Sequence, residues 1–168
     1  MDCRRIATSI CCAALLSVPA FLQGSTLGKS DARFMKMAAE DNMTEAHLGQ
    51  MAEAQASQQS VKDFGKKLST DHTSAYEGLT VLANKVGEEI PKGIGRDRTI
   101  EQLTHEKGKS FDRAFLQDEV RAHKTALAAF QNEADHGENA DVKAWAKSMI
   151  PTLQGHLSEA EQLEQAKK

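Results

Sequence analysis

Four long stretches of this chain repeat their apolar residues at three- and four-residue intervals, and the few glycines and prolines fall mostly between the stretches. That spacing matches the turn of an α-helix, whereas a half-buried strand would alternate at every second position, a pattern the sequence does not show. The first stretch runs over about 31–58, with Phe34, Ala38, Leu48 and Ala52 on one stripe. The second, 60–86, carries Val61, Leu68, Ala75 and Leu82 interleaved with Gly65, Leu79 and Val86, and Ser60 stands where it could cap the start. The third, 110–134, carries Leu116, Val120, Leu127 and Phe130; the fourth, 141–166, carries Val142, Trp145, Met149, Leu153, Ala160 and Leu163. Pro151 falls inside the fourth and is expected to kink it, because proline lacks the N–H and crowds the turn before it. Four such helices bury their stripes against one another, so the expected fold is all-α, a four-helix bundle.

The connections decide the topology. Between the second and third helices lies a long link, 87–109, with Pro91, Gly93, Gly95 and a candidate short helix over 99–106. Extended, a link of this length covers about 70 Å, whereas a helix as long as the second is only about 40 Å. It can therefore return along the whole bundle, as the crossover of ferritin-like folds does. The third and fourth helices are joined by the tight turn His136-Gly137-Glu138-Asn139.

The first twenty residues differ from everything after them. Arg4 and Arg5 precede an apolar run from Ile6 to Leu16, and Val18-Pro19-Ala20 ends on a small residue, the order of a secretory signal. The apolar run is too short for a membrane anchor. The expected organisation is a removed signal over 1–20, a flexible lead over 21–30 and the bundle over 31–168, in an exported protein. Cys3, Cys11 and Cys12 all lie in the signal; the exported domain then has no disulfide, and its stability rests on its core or on a bound metal. The formal charge of −3 gives no reason to expect a nucleic-acid partner, and no later segment is apolar enough to cross a membrane. No nucleophile signature, phosphate loop or haem-attachment pair is present, which argues against a hydrolase, a kinase or covalently bound haem.

Extending each stripe at its own period leads to polar residues. On the first helix the series 34, 38, 41, 45, 48, 52 turns Asp41 and Glu45 inward; on the others the same construction turns His72, His123 and His156 inward. Glu45, His72 and His123 lie near the middle of their helices and His156 about one turn further along, so the four can meet in one layer. Asp71 and Glu119 flank that layer as outer partners or additional ligands. A lone buried carboxylate or imidazolium is costly, and one transition metal ion, Zn, Fe, Mn or Cu, would remove the cost, with Glu45, His72, His123 and His156 as ligands. The alternative stays open: a hydrogen-bonded polar layer that fixes helix register without metal, in a protein whose surface meets a second copy or another envelope protein. An acid–base enzyme built on the layer has no support beyond the titratable groups themselves. His47 faces elsewhere, and His105 and His136 fall in connections. Met35, Met37, Met43 and Met51 could form a soft-metal box, although methionines so spaced are more often core filler.

The segments Ala46-His47-Leu48-Gly49, Val61-Lys62-Asp63-Phe64, Asp71-His72-Thr73, Leu82-Ala83 to Pro91, Phe111-Asp112, Val120 to His123 and Ile150-Pro151 to His156-Leu157 together resemble the bacterial exported proteins grouped as domain of unknown function 4142, often described as outer-membrane proteins. The resemblance runs from about Phe34 to Leu163. It implies a ferritin-like bundle of the bacterial envelope, in the periplasm and either free or associated with the outer membrane, of unassigned activity. The family's histidine positions match His72, His123 and His156. Ferritin-like di-iron enzymes use Glu-x-x-His on each of two helices; here Glu119 and His123 are four apart and His156 precedes Glu159, so a mononuclear site is the better expectation.

Overall fold

Each apolar stripe becomes a helix. The computed structural model describes residues 27–94 and 98–166; the expected signal, with Cys3, Cys11 and Cys12, and most of the expected flexible lead lie outside the described residues. In chain order the helices are α1 (Lys29–Gln55), α2 (Gln59–Val86), α3 (Arg98–Leu103), α4 (Gly108–His136) and α5 (Ala140–Gln165). No β-strand occurs among the described residues, and the fold is all-α.

Helix ends differ from the sequence pattern by a few residues. α1 begins two residues before 31 and stops at Gln55, and α2 begins at Gln59 with Gln58 before it, so Ser60 sits inside the first turn and does not cap it. α2 ends where Gly87 takes the left-handed conformation, φ 74°, which glycine adopts without steric penalty. α4 extends two residues further than expected and takes His136 into its last turn. Asn139 caps α5 by accepting from the Asp141 and Val142 amides. α5 passes through Pro151 as one helix, so the missing N–H does not end it.

Two polar ties fix which ends lie together. The buried Asp31 carboxylate, at the start of α1, accepts the backbone N–H of Asn139 at 2.6 Å and that of Glu138 at 3.2 Å, in the turn between α4 and α5. At the other end the Asp112 carboxylate, in the first turns of α4, accepts the Ser57 N–H at 2.8 Å and its hydroxyl at 2.7 Å, in the link between α1 and α2. α2 and α4 therefore run parallel, with α1 and α5 opposed to them. The link from Gly87 to Lys107 must return along the length of the bundle, which makes the fold a ferritin-like four-helix bundle with a long crossover. Tyr76 donates to the Pro91 carbonyl at 2.9 Å and Leu103 of α3 is buried, which holds the crossover to the bundle.

α1 packs mainly on α2 and α4 mainly on α5, while α1 with α4, and α2 with α5, meet more sparsely. The α1–α2 approach is set by two glycines: a Cβ on Gly49 would lie 2.4 Å from the Gly65 carbonyl oxygen, and a Cβ on Gly65 would lie 2.7 Å from that of Gly49. The core then divides in two. One apolar cluster gathers Phe64, Leu68, Phe111, Phe115 and Leu116 near the Ser57 end; the other gathers Phe34, Met35, Leu79, Phe130 and Val142 near the Asp31 end. Between them every long helix contributes buried polar side chains. No described helix is long and apolar enough to cross a membrane.

Candidate metal centre

The layer between the two clusters consists of Asn42 and Glu45 from α1, His72 from α2, Glu119 and His123 from α4, and His156 from α5, all buried. Its place follows from the stripes, since each helix runs apolar, polar, apolar along one face. Asp41 does not belong to it. Asp41 is exposed, and Asn42 takes the inward position. At about 100° per residue positions 41 and 42 lie on either side of the line through 38 and 45, and the buried Met35, Ala39 and Gly49 widen the inward face of α1 on the side of Asn42.

His72, His123 and His156 meet with ring centroids 5.3–5.6 Å apart, and one nitrogen from each ring lies within 4.8 Å of the others. The partners of the remaining nitrogens assign the protons. Asn42 donates through Nδ2 to the Ala38 carbonyl at 2.6 Å, which leaves its Oδ1 to accept from His72 Nδ1 at 2.9 Å. His123 Nδ1 stands 3.0 Å from the Glu119 carbonyl oxygen, an obligate acceptor. His156 Nε2 stands 2.8 Å from Asp71 Oδ2 and donates to that carboxylate. Each ring thus spends its N–H on an outward acceptor and turns a bare lone pair inward: His72 Nε2, His123 Nε2 and His156 Nδ1.

These lone pairs have no donor among them. His72 Nε2 is buried without a hydrogen-bond partner, and His123 Nε2 faces His156 Nδ1 at 3.3 Å, where two lone pairs repel. Protonation would relieve the conflict, but burial opposes it: desolvation, then the neighbouring His123 and His156, hold His72 well below the usual histidine range. Desolvation also lowers His156, against the Asp71 hydrogen bond that raises it. A cation other than a proton fits better. Nitrogens bound to one tetrahedral ion at about 2.05 Å stand about 3.3–3.4 Å apart, close to the His123–His156 separation. Outward N–H groups held by an amide, a carbonyl and a carboxylate are the usual support of metal-binding histidines.

Glu45 is not part of this trio. It groups with Glu119 against His123, one oxygen from each carboxyl lying within 4.8 Å of a His123 nitrogen. Burial first, and the Glu119 charge second, push the Glu45 carboxyl well above the usual carboxylate range. Burial pushes Glu119 up to about 8. A hydrogen bond between the two carboxyls exists only while one of them holds a proton.

The raised Glu119 carboxyl has a measurable consequence in the metal-free protein. Its folded-state value lies above its unfolded value, so its contribution is fully present below about pH 4.5 and is lost as pH rises through about 8. Between about pH 7 and 8.5 His72 and His156, whose values burial lowers, add no opposing proton uptake in the folded state. Denaturant titrations in that window are expected to show stability falling with pH, by up to about 1.4 kcal/mol per unit for one proton, and Glu119→Gln is expected to reduce the slope. An unchanged slope would contradict this assignment.

A cleft of about 630 Å³ opens where α1 and α4 diverge, and it reaches Glu45, His72 and His123 from the surface past Asp41, Arg98 and Arg121. The four methionines of α1 form no box: Met35 is in one apolar cluster, Met51 in the other, Met37 lines the cleft, and Met43 lines a groove under the crossover. Asn42 and the cleft were not apparent in the sequence. The first depends on how wide the buried face of α1 is, which takes in Met35, Ala39 and Gly49 as well as the stripe, and the second depends on the spacing between two helices.

Several solved structures share the fold. The DUF305 fragment from Deinococcus radiodurans superposes with a TM-score of 0.74 at 13% identity, covering 83% of this chain and 98% of that one. CopM in its Cu(II)-bound form gives 0.70 at 15% identity, covering 82% and 97%, and CopM has also been solved with Cu(I) and with Ag bound. A conserved hypothetical protein, rv2844, from Mycobacterium tuberculosis gives 0.66 at 15% identity, covering 81% and 98%. At these identities the likeness is one of fold. Among curated proteins none matches the chain in sequence. The family described as "Domain of unknown function (DUF4142)" matches residues 17–163, and the chain belongs to it.

Proposed function

We propose that this protein is an exported bundle that binds one transition metal ion through His72, His123 and His156 and handles that metal in the bacterial envelope, under metal or oxidative stress. The observation that carries the reading is the convergence of three imidazole lone pairs whose other nitrogens are already committed to Asn42, Glu119 and Asp71. Three neutral imidazoles suit Cu(II) and Zn(II) ahead of Fe(II) and Mn(II), because affinity at nitrogen sites rises toward copper. The shared fold of CopM, solved with copper and silver bound, supports copper in particular. The order of residues 1–20 supports export.

In this reading the chain supplies a pre-formed tripod. Asp71 holds the His156 ring and makes its inward nitrogen more basic; Asn42 and the Glu119 carbonyl hold the other two. Three protein ligands leave a coordination position for the cleft to serve, so the ion can be exchanged. A bound ion would supply charge that the buried lone pairs lack, and with it stability. Asp71→Ala is expected to weaken binding by about 10- to 100-fold, read by competition with a chromophoric chelator; affinity equal to the parent would remove Asp71 from the account.

Thermal melting tests the function itself. Cu(II) or Zn(II) at about a hundred times its dissociation constant should stabilise the parent by about 2.7 kcal/mol and leave a folded His72→Ala/His123→Ala/His156→Ala variant unmoved. No metal-dependent shift in the parent would refute the proposal and favour a purely structural layer.

A further inference from the structure

The histidine site makes no use of the second group beside His123. Neither oxygen of the fully buried Glu119 carboxyl, nor Oε2 of Glu45, has a hydrogen-bond donor. The other buried acids named above are satisfied, Asp31 by two backbone amides and Asp112 by Ser57. The cation nearest in sequence is already engaged, since Arg121 pairs with Asp118. Two carboxyls therefore stand side by side in the core, and apart from a proton shared between them three of their oxygens have no partner in the fold, an arrangement native proteins rarely leave uncompensated.

We propose that Glu45 and Glu119 form a second cation position, distinct from the histidine trio and suited to a hard divalent ion such as Mn(II). The donors are oxygens, the class that Mg, Ca and Mn prefer, and two carboxylates balance the charge of one divalent ion. His123 Nδ1 lies 3.3 Å from Glu119 Oε2, but its proton is directed at the Glu119 carbonyl, so it contributes no lone pair here. Glu45 lines the α1–α4 cleft, from which water fills the remaining coordination sites. This position goes beyond the function proposed above and does not need the trio to be filled. The protein would then offer a nitrogen site and an oxygen site on opposite edges of one imidazole, each with its own metal preference.

Mn(II) added to the metal-stripped protein, followed by loss of the electron paramagnetic resonance signal of the free aqua ion, tests this. The parent is expected to bind one Mn(II), and a His72→Ala/His156→Ala variant to bind it equally. A Glu45→Gln/Glu119→Gln variant is expected to bind at least tenfold more weakly while still taking up Cu(II). Should that variant fail to fold, Glu45→Gln alone, at the edge of the cleft, carries the same expectation. No Mn(II) uptake by the parent, uptake lost from the histidine variant, or uptake unchanged in a folded glutamine variant would overturn the proposal. Failure of the histidine site reads differently: Mn(II) uptake would persist while Cu(II) uptake was absent from the parent.

Discussion

Replacing His123 with alanine is expected to lower Cu(II) or Zn(II) affinity by more than about 100-fold, beyond the loss typical of removing an outer partner of a metal ligand. Of the three imidazoles, His123 is the one that belongs to both candidate metal groups, and its Nε2 stands 3.3 Å from His156 Nδ1. Truncation leaves two nitrogens, too few to hold an ion against water. The metal-free variant should still fold, because the two apolar clusters on either side of the layer do not include this ring. Calorimetric titration at neutral pH measures the effect directly. A His123→Ala protein that binds as the parent does would place the metal elsewhere.

Gly49→Val is expected to cost more than about 4 kcal/mol and to abolish a single cooperative urea transition. In an exposed helix, replacing glycine by a residue with a side chain gains up to about 1 kcal/mol. Here the first added carbon would meet the Gly65 carbonyl oxygen at 2.4 Å and the Ser69 nitrogen at 2.7 Å. Both are backbone atoms of α2, and no side-chain rotation relieves the clash. α1 must move off α2, and the movement opens the apolar cluster that holds Leu48, Ala52 and Phe64. Gly155→Ala is the control: it lies on an exposed face of α5 with no atom within 4 Å of an added Cβ, so it should be neutral or stabilising by up to about 1 kcal/mol. Equal effects from the two substitutions would contradict the close α1–α2 approach.

Most of the fold was legible because it depends on period and length. Period alone identifies four helices, and the same count turns Glu45, His72, His123 and His156 inward, as the structure has them. The length of the link after α2 was enough for a crossover, and the Asp31 and Asp112 ties give the ends that require one. What the sequence left unread depends on distances between helices. Positions 41 and 42 flank the line through 38 and 45, so period alone does not choose between them, and Asp41 was expected where the structure buries Asn42. Glu119 stands one turn from His123, close enough to be suspected, but nothing in the chain said that Glu45 would pair with it and leave the trio to three histidines. The direction of each ring was unreadable too, since it depends on Asn42, the Glu119 carbonyl and Asp71 arriving from three separate helices.

The most direct measurement is the metal content of protein purified without chelator or affinity tag, before and after loading with Cu(II) or Zn(II) and gel filtration, beside the His72→Ala/His123→Ala/His156→Ala variant. The account predicts close to one Cu(II) or Zn(II) ion per chain in the parent and neither in the folded variant. A parent that keeps no metal even after loading, or a variant that keeps as much as the parent, would contradict it.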